Sequence, residues 1–255
     1  MDPTPEQEAG LQQGESGEVE NWAFVFGNLG DCKAFHVSKI TGQITDITPE
    51  ARVSNDAKDC GGRLGPYLDG GQPDLRNFRL RFIPCRKGDL IFVCSDGVHD
   101  NFDPEHLGIS PRELGADADE WGQLPWTESE SIKSLYRLRM LHVLLYCPEK
   151  LPESQKGGHR VKSVMPRKFT NRVESPRKEE GAIHYYGSGT LSMGVPLSPA
   201  TVTNRLLDFC ETTNDKAIRW MQEHPSQKLP VDYEKFPGKM DHATCLSFFV
   251  GARPS

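Results

Sequence analysis

The run Leu90-Ile91-Phe92-Val93-Cys94, which passes directly into Ser95-Asp96-Gly97, constrains this chain more than any other stretch. A strand that is apolar at every position has no wet face, so other layers must cover it on both sides. The chain must therefore assemble a core around this strand from elements distant in sequence. Only 36% of its 255 residues are apolar, and it carries 24 glycines and 19 prolines, so that core is drawn from part of the length. The rest reads as loop or tail.

Charge divides the chain in the same way. Residues 1–20 hold Asp2, Glu6, Glu8, Glu15, Glu18 and Glu20 and no Lys or Arg. This composition reads as a disordered acidic tail. Those six account for the whole net charge of −6, so residues 21–255 are balanced. A balanced body disfavours a nucleic-acid partner of the basic-domain type. No apolar stretch approaches the ~20 residues of a membrane span. No signal-peptide pattern is visible, and Asp2 stands where myristoylation requires a glycine. Seven cysteines without a C-x-x-C pair read as free thiols in a reducing compartment, cytoplasmic or nuclear.

Local patterns predict an α+β fold with mainly antiparallel strands. Trp22-Ala23-Phe24-Val25-Phe26 and Cys32 to Val37 read as two strands joined by the turn at Gly27 to Asp31, with a short third strand at Gln43 to Ile47. Residues 51–76 read as loop. Phe78, Leu80 and Phe82 alternate with Arg79 and Arg81, which predicts a strand with one wet face, hairpinned through Lys87-Gly88-Asp89 to the apolar run. Thr127 to Glu130 has the form of a capping box, opening a helix that ends before Pro148. Ser198-Pro199 opens a second helix, and Ala243 to Val250 is a closing strand. Residues 150–180 are basic and proline-bearing and read as a mobile insertion. They could attract phosphorylated or nucleic-acid partners through charge, but a solvated linker accounts for them as well.

Four aspartates stand at strand ends or in adjoining turns. Asp31 closes Gly27-Asn28-Leu29-Gly30-Asp31, Asp96 and Asp100 follow the apolar strand, and Asp241 precedes the last one. An Asp in a Gly-containing turn ordinarily caps its own backbone. Strand ends converge in space, however, and converging carboxylates suit a hard cation such as Mg²⁺ or Mn²⁺, which can activate a water for attack on phosphorus.

In the order and approximate spacing of Phe24 to Ala34, Gly61-Gly62-Arg63-Leu64-Gly65, Asp89 to Asp100 and Gly238 to Phe249, the chain resembles the metal-dependent protein serine/threonine phosphatases of the PPM, or 2C, type. Ser95-Asp96-Gly97-Val98-His99-Asp100 is the most specific of these stretches. The resemblance implies a β-sandwich flanked by helices over residues 21–250, corresponding to the C-terminal portion of the family domain. It implies hydrolysis of phosphoserine and phosphothreonine on a phosphoprotein substrate. It also implies Mg²⁺ or Mn²⁺ as cofactor, with Asp96 and Asp241 on the ion that holds the water and Asp31 and Asp100 at a further metal position.

The family's Asp-Gly-His-Gly-Gly element and phosphate-gripping Arg have no match in this sequence, and His242 stands where the family has Asn. Asp69-Gly70-Gly71 lacks the His and falls out of order. No catalytic side chain is assigned, and weak or absent turnover is expected of this chain alone. The alternative is a non-catalytic module that binds proteins. His99 reads as a packing residue and His242 as a backbone partner, with proton donation and metal ligation as their respective alternatives.

Overall fold

The computed structural model describes residues 21–49, 51–52, 60–147, 183–185 and 197–251. The acidic stretch 1–20 and the basic stretch 150–180 lie outside them. The strands are β1 (Asn21–Asn28), β2 (Lys33–Val37), β3 (Ile44–Asp46), β4 (Arg63–Leu68), β5 (Gln72–Asp74), β6 (Arg79–Arg86), β7 (Leu90–Cys94), β8 (Ile183–Tyr185) and β9 (Cys245–Phe249). Helices are α1 (Asp96–His99), α2 (Trp126–Tyr146) and α3 (Pro199–Glu223). The fold is α+β, and the strands pair antiparallel among the described residues.

The apolar run is β7, and it lies inside a five-stranded sheet ordered β8-β3-β2-β7-β9. Strand alternation sends Leu90, Phe92 and Cys94 to one face, where they join α2 and α3 through Tyr136, Leu141, Leu145, Val202 and Leu206. Phe35 of β2 stacks on Phe92 there, with ring centroids 4.8 Å apart. Ile91 and Val93 face the other way and meet Phe24, Phe26 and Ile83. Those three belong to a two-stranded ribbon, β1 paired with β6. The layers are thus ribbon, sheet and helices, and the two-sided cover expected of the apolar run is met by two distinct clusters.

Helix α3 begins as its sequence predicts. Pro199 follows the cap, and the Thr201 amide donates to Ser198 Oγ at 3.0 Å. Helix α2 does not. It starts at Trp126, and Pro125 in extended conformation precedes it without a side-chain cap. Thr127 is already helical, so its hydroxyl is not placed to cap.

Strand pairing departs from the local reading in three places. β1 pairs with β6 rather than β2, and β2 lies between β3 and β7. β6 and β7 are consecutive but belong to different sheets, so the turn at Lys87 to Asp89 is a crossing between layers and not a hairpin. Within 51–76, Arg63–Leu68 and Gln72–Asp74 form a small antiparallel pair turned by Gly70 and Gly71, both at positive φ.

The alternation at Phe78 to Phe82 also runs opposite to expectation. Leu80 is 73% exposed and Phe82 66%, and Val25, facing Phe82 across the ribbon, is 59% exposed. The inner side of the ribbon is already filled by Phe24, Phe26 and Ile83. The apolar residues of the other side therefore point outward.

A buried ion pair ties β2 to β3. Lys33 Nζ donates to Asp46 Oδ2 at 2.8 Å, and both side chains are 2% exposed. The Thr48 amide and hydroxyl donate to the other carboxylate oxygen at 2.8 and 3.0 Å. A second buried network lies between α2 and the turns after α1. Asp103 accepts from Arg137 at 2.9 Å, and Lys133 and Arg137 also pair with Glu105 and Glu130. Among the cysteines, Cys85, Cys94 and Cys210 are buried free thiols, and burial pushes Cys210 up to about 12. Cys32 is exposed. No helix among the described residues is long and apolar enough to cross a membrane.

Candidate functional site: an aspartate cluster at the strand ends

The turn after β7 is locked onto the segment before β9. The Ser95 amide donates to the Thr244 carbonyl at 3.0 Å, Ser95 Oγ donates to the His242 carbonyl at 2.9 Å, and the Thr244 amide donates back to Ser95 Oγ at 3.1 Å. Gly97 allows this approach. A Cβ there would stand 2.4 Å from the His242 carbonyl oxygen. The Ser-Asp-Gly sequence thus brings Asp96 beside Asp241.

Asn101 fixes the next segment. Its amide donates to the Gly97 carbonyl at 2.8 Å and the Lys239 carbonyl at 3.1 Å, and its oxygen accepts from the Lys239 amide at 3.0 Å. Gly238, at φ +97°, has no room for a side chain because the Asn101 and Asn214 amide oxygens lie within 2.7 Å of where a Cβ would sit. Together these contacts deliver the side chain of Lys239 into the cluster.

Asn77 does the same work on the opposite side. It accepts from the Gly30 amide at 3.1 Å and donates to the Gly30 and Ala51 carbonyls at 2.8 and 2.6 Å. One side chain thereby holds the turn carrying Asp31 against the segment carrying Arg52.

The four sequence-predicted aspartates converge, but two cations stand among them. Lys239 Nζ lies 2.6 Å from Asp96 Oδ2, 2.9 Å from Asp100 Oδ2 and 3.5 Å from Asp241 Oδ2. Arg52 Nη2 lies 2.7 Å from Asp100 Oδ2 and 3.3 Å from Asp31 Oδ2. Asp100 is the hub: it is fully buried, touches both cations, and has His99 Nδ1 3.1 Å from its other oxygen. His99 itself is buried and donates Nε2–H to the Asp31 carbonyl at 2.8 Å, a position that packs and orients the ring. His242 is exposed, with its Nδ1 3.7 Å from Asp241 Oδ1, the oxygen that Lys239 does not approach.

Burial alone would raise Asp100, but the charges of His99 and Arg52 outweigh it and hold the carboxyl well below its ordinary value. Burial likewise opposes ionisation of Asp96, and the Lys239 ammonium overrides it by hydrogen bond and charge. Asp46, Asp89 and Asp103 are depressed in the same sense, against burial, by Lys33, by backbone amides and by Lys133 with Arg137 respectively. A depressed folded value contributes stability that is present above the unfolded carboxylate value of about 3.9 and is lost as pH falls through the folded values. Thermal melts should therefore be nearly level from about pH 7 to 5 and drop steeply below about pH 4. A melting temperature that rises on acidification through that window would contradict the ion-pair assignments.

Mg²⁺ stands about 2.1 Å from its oxygens and keeps several waters. An ion shared by Asp96 and Asp241 would have to stand where the Lys239 ammonium stands. As arranged, the donor set is already filled by a cation and does not also fit a divalent ion at that position. A separate group, His36, Cys85 and Asp89, gathers at the other end of the sheet. There Asp89 already accepts from the Arg86 and Lys39 amides and pairs with His36.

Lys239 and Arg52 escape sequence reasoning because a lysine or arginine in a turn ordinarily reads as solvated. The available signal is position: Lys239 lies two residues before Asp241, inside the very motif that marks the site.

Comparison with known proteins gives a partial likeness. Over 79 residues, 30% of this chain, it is 37% identical to the PP2C-like domain-containing protein CG9801 of Drosophila melanogaster. The match spans 11% of that protein. No protein-family model and no solved structure matches the chain.

Proposed function

We propose that this chain is a portion of a PP2C-like protein phosphatase domain, a hydrolase acting on phosphoserine and phosphothreonine in proteins. The observation that carries the reading is the gathering of Asp31, Asp96, Asp100 and Asp241 around one pair of cations at the ends of β1, β7 and β9. The partial likeness to a PP2C-like protein supports it. In the family, Mg²⁺ or Mn²⁺ supplies the attacking water. In this chain the Lys239 ammonium lies among the carboxylates that would hold such an ion.

The same lysine favours a second reading, in which this chain is a non-catalytic PP2C-like module that binds a protein partner. The sequence contains no Asp-Gly-His-Gly-Gly element, which points the same way for the chain on its own.

The two readings separate in one assay: phosphate release from a phosphothreonine peptide with Mn²⁺, comparing the chain with Asp96→Ala. Turnover lost by a factor of about 10² or more in the variant supports the phosphatase reading. Equal and negligible rates support the binding module.

A further inference from the structure

We propose that Lys239 is a resident counterion, which holds the aspartate cluster together without a metal, and that removing its ammonium opens a divalent-cation site formed by Asp96, Asp100 and Asp241. This goes beyond the phosphatase reading, since it concerns which cation the cluster holds, and it is read from Mn²⁺ binding and not from turnover.

The seat of the lysine is built to its chemistry. An ammonium is a compact charge with three donors and no acceptor. Here it meets three carboxylates from two separate segments, Asp96 and Asp100 after β7 and Asp241 before β9. Asp96 and Asp100 take its hydrogen bonds, and Asp241 stands at ion-pair distance. A roaming surface lysine would not be held so. The backbone of Lys239 is gripped by Asn101 at both its amide and its carbonyl, and Gly238 makes room for the two asparagine amides behind it. The side chain is therefore delivered by a built turn.

Charge points the same way. Without Lys239, three carboxylates would face one another, one of them fully buried, and the nearest guanidinium, Arg52, is bound to Asp100 and Asp31 and reaches neither Asp96 nor Asp241. Carboxylates that share one ammonium repel one another once it is removed, and the low effective dielectric of a partly buried site strengthens that repulsion. A hard divalent ion with oxygen ligands and retained waters relieves that repulsion. With the lysine present, the same ion meets a like charge at its own position.

The test uses the full 255-residue chain and Mn²⁺ as probe, followed by the electron paramagnetic resonance signal of the free ion and by thermal melts. Wild type should leave the free Mn²⁺ signal and its own melting temperature unchanged at millimolar ion. Lys239→Met should bind Mn²⁺ at least about tenfold more tightly than wild type and melt at a higher temperature with the ion than without. Adding Asp241→Asn to that variant should abolish both effects, which separates this cluster from the neighbouring Asp100, Asp103 and His106 group. If Lys239→Met folds only when Mn²⁺ is supplied, the ion has taken over the role of the lysine and the proposal is supported. Wild type binding Mn²⁺ as tightly as Lys239→Met overturns it. So does a folded Lys239→Met that binds none. Failure of both Lys239→Met and Lys239→Gln to fold even with the ion overturns it as well.

Discussion

Replacing Lys33 by Met is expected to destabilise the fold by about 3–5 kcal/mol, the usual consequence of leaving one member of a buried ion pair without its partner. Asp46 would remain 2% exposed, with only the Thr48 amide and hydroxyl to solvate its charge. At about 2–4 °C per kcal/mol for a chain of this size, the melting temperature should fall by roughly 6–20 °C. The double variant Lys33→Met with Asp46→Leu should recover much of that loss, because two apolar groups of similar volume need no compensation. Paired thermal melts decide the matter. If the double variant is as unstable as the single one, the loss comes from packing between β2 and β3 and not from the stranded charge.

The second large effect is a contrast within the aspartate cluster. Asp100→Ala should cost about 3–5 kcal/mol, because it takes from Arg52 and Lys239 the fully buried carboxylate that they share and leaves them only their longer or more exposed partners. Asp241→Ala should cost less than about 1 kcal/mol, as expected for a half-exposed partner of a lysine that keeps two other carboxylates. Urea unfolding of the two variants gives the comparison directly. Equal losses would remove Asp100 from the centre of the network.

What can be read from the sequence is what local chemistry fixes. The β7 run, the Ser198 cap of α3 and the strand before Val250 each carry their signal within a few residues, and each stands where its pattern puts it. Sheet membership is a long-range property and leaves no such mark. The tight turn at Gly27 to Asp31 looks like a hairpin, but β1 and β2 leave it for different layers. The alternation of Phe78, Leu80 and Phe82 is legible as a strand, whereas its facing is decided by Phe24, Phe26 and Ile83 on the neighbouring layer. The site divides likewise. Its carboxylates sit in motifs, so Asp31, Asp96, Asp100 and Asp241 are all legible. Its cations sit in turns whose meaning depends on what the turn faces, so Lys239 and Arg52 emerge only with the structure. The buried Lys33 is hidden for the same reason: a lysine inside a strand ordinarily marks the wet face.

Among the described residues, the cluster beneath the β1–β6 ribbon is the smaller of the two, with five buried side chains and Phe24, Phe26, Ile83, Val93 and Phe248 packed against them, beside twenty-one buried side chains in the cluster on the helix side of the sheet. Segments with little buried apolar surface open first, at a free energy below that of the whole. Asp31 lies in the turn between β1 and β2, and Asn77, which clamps that turn to the segment carrying Arg52, lies just before β6. Asp96, Lys239 and Asp241 hang instead from β7, α1 and the approach to β9, in the more deeply held part. The cluster therefore draws on both layers, and the Asn77 clamp ties its Asp31 side to the less deeply buried one. Loss of the ribbon's contacts would loosen the Asn77 clamp on the Asp31 turn, whereas the lysine-bound side rests on β7 and the approach to β9.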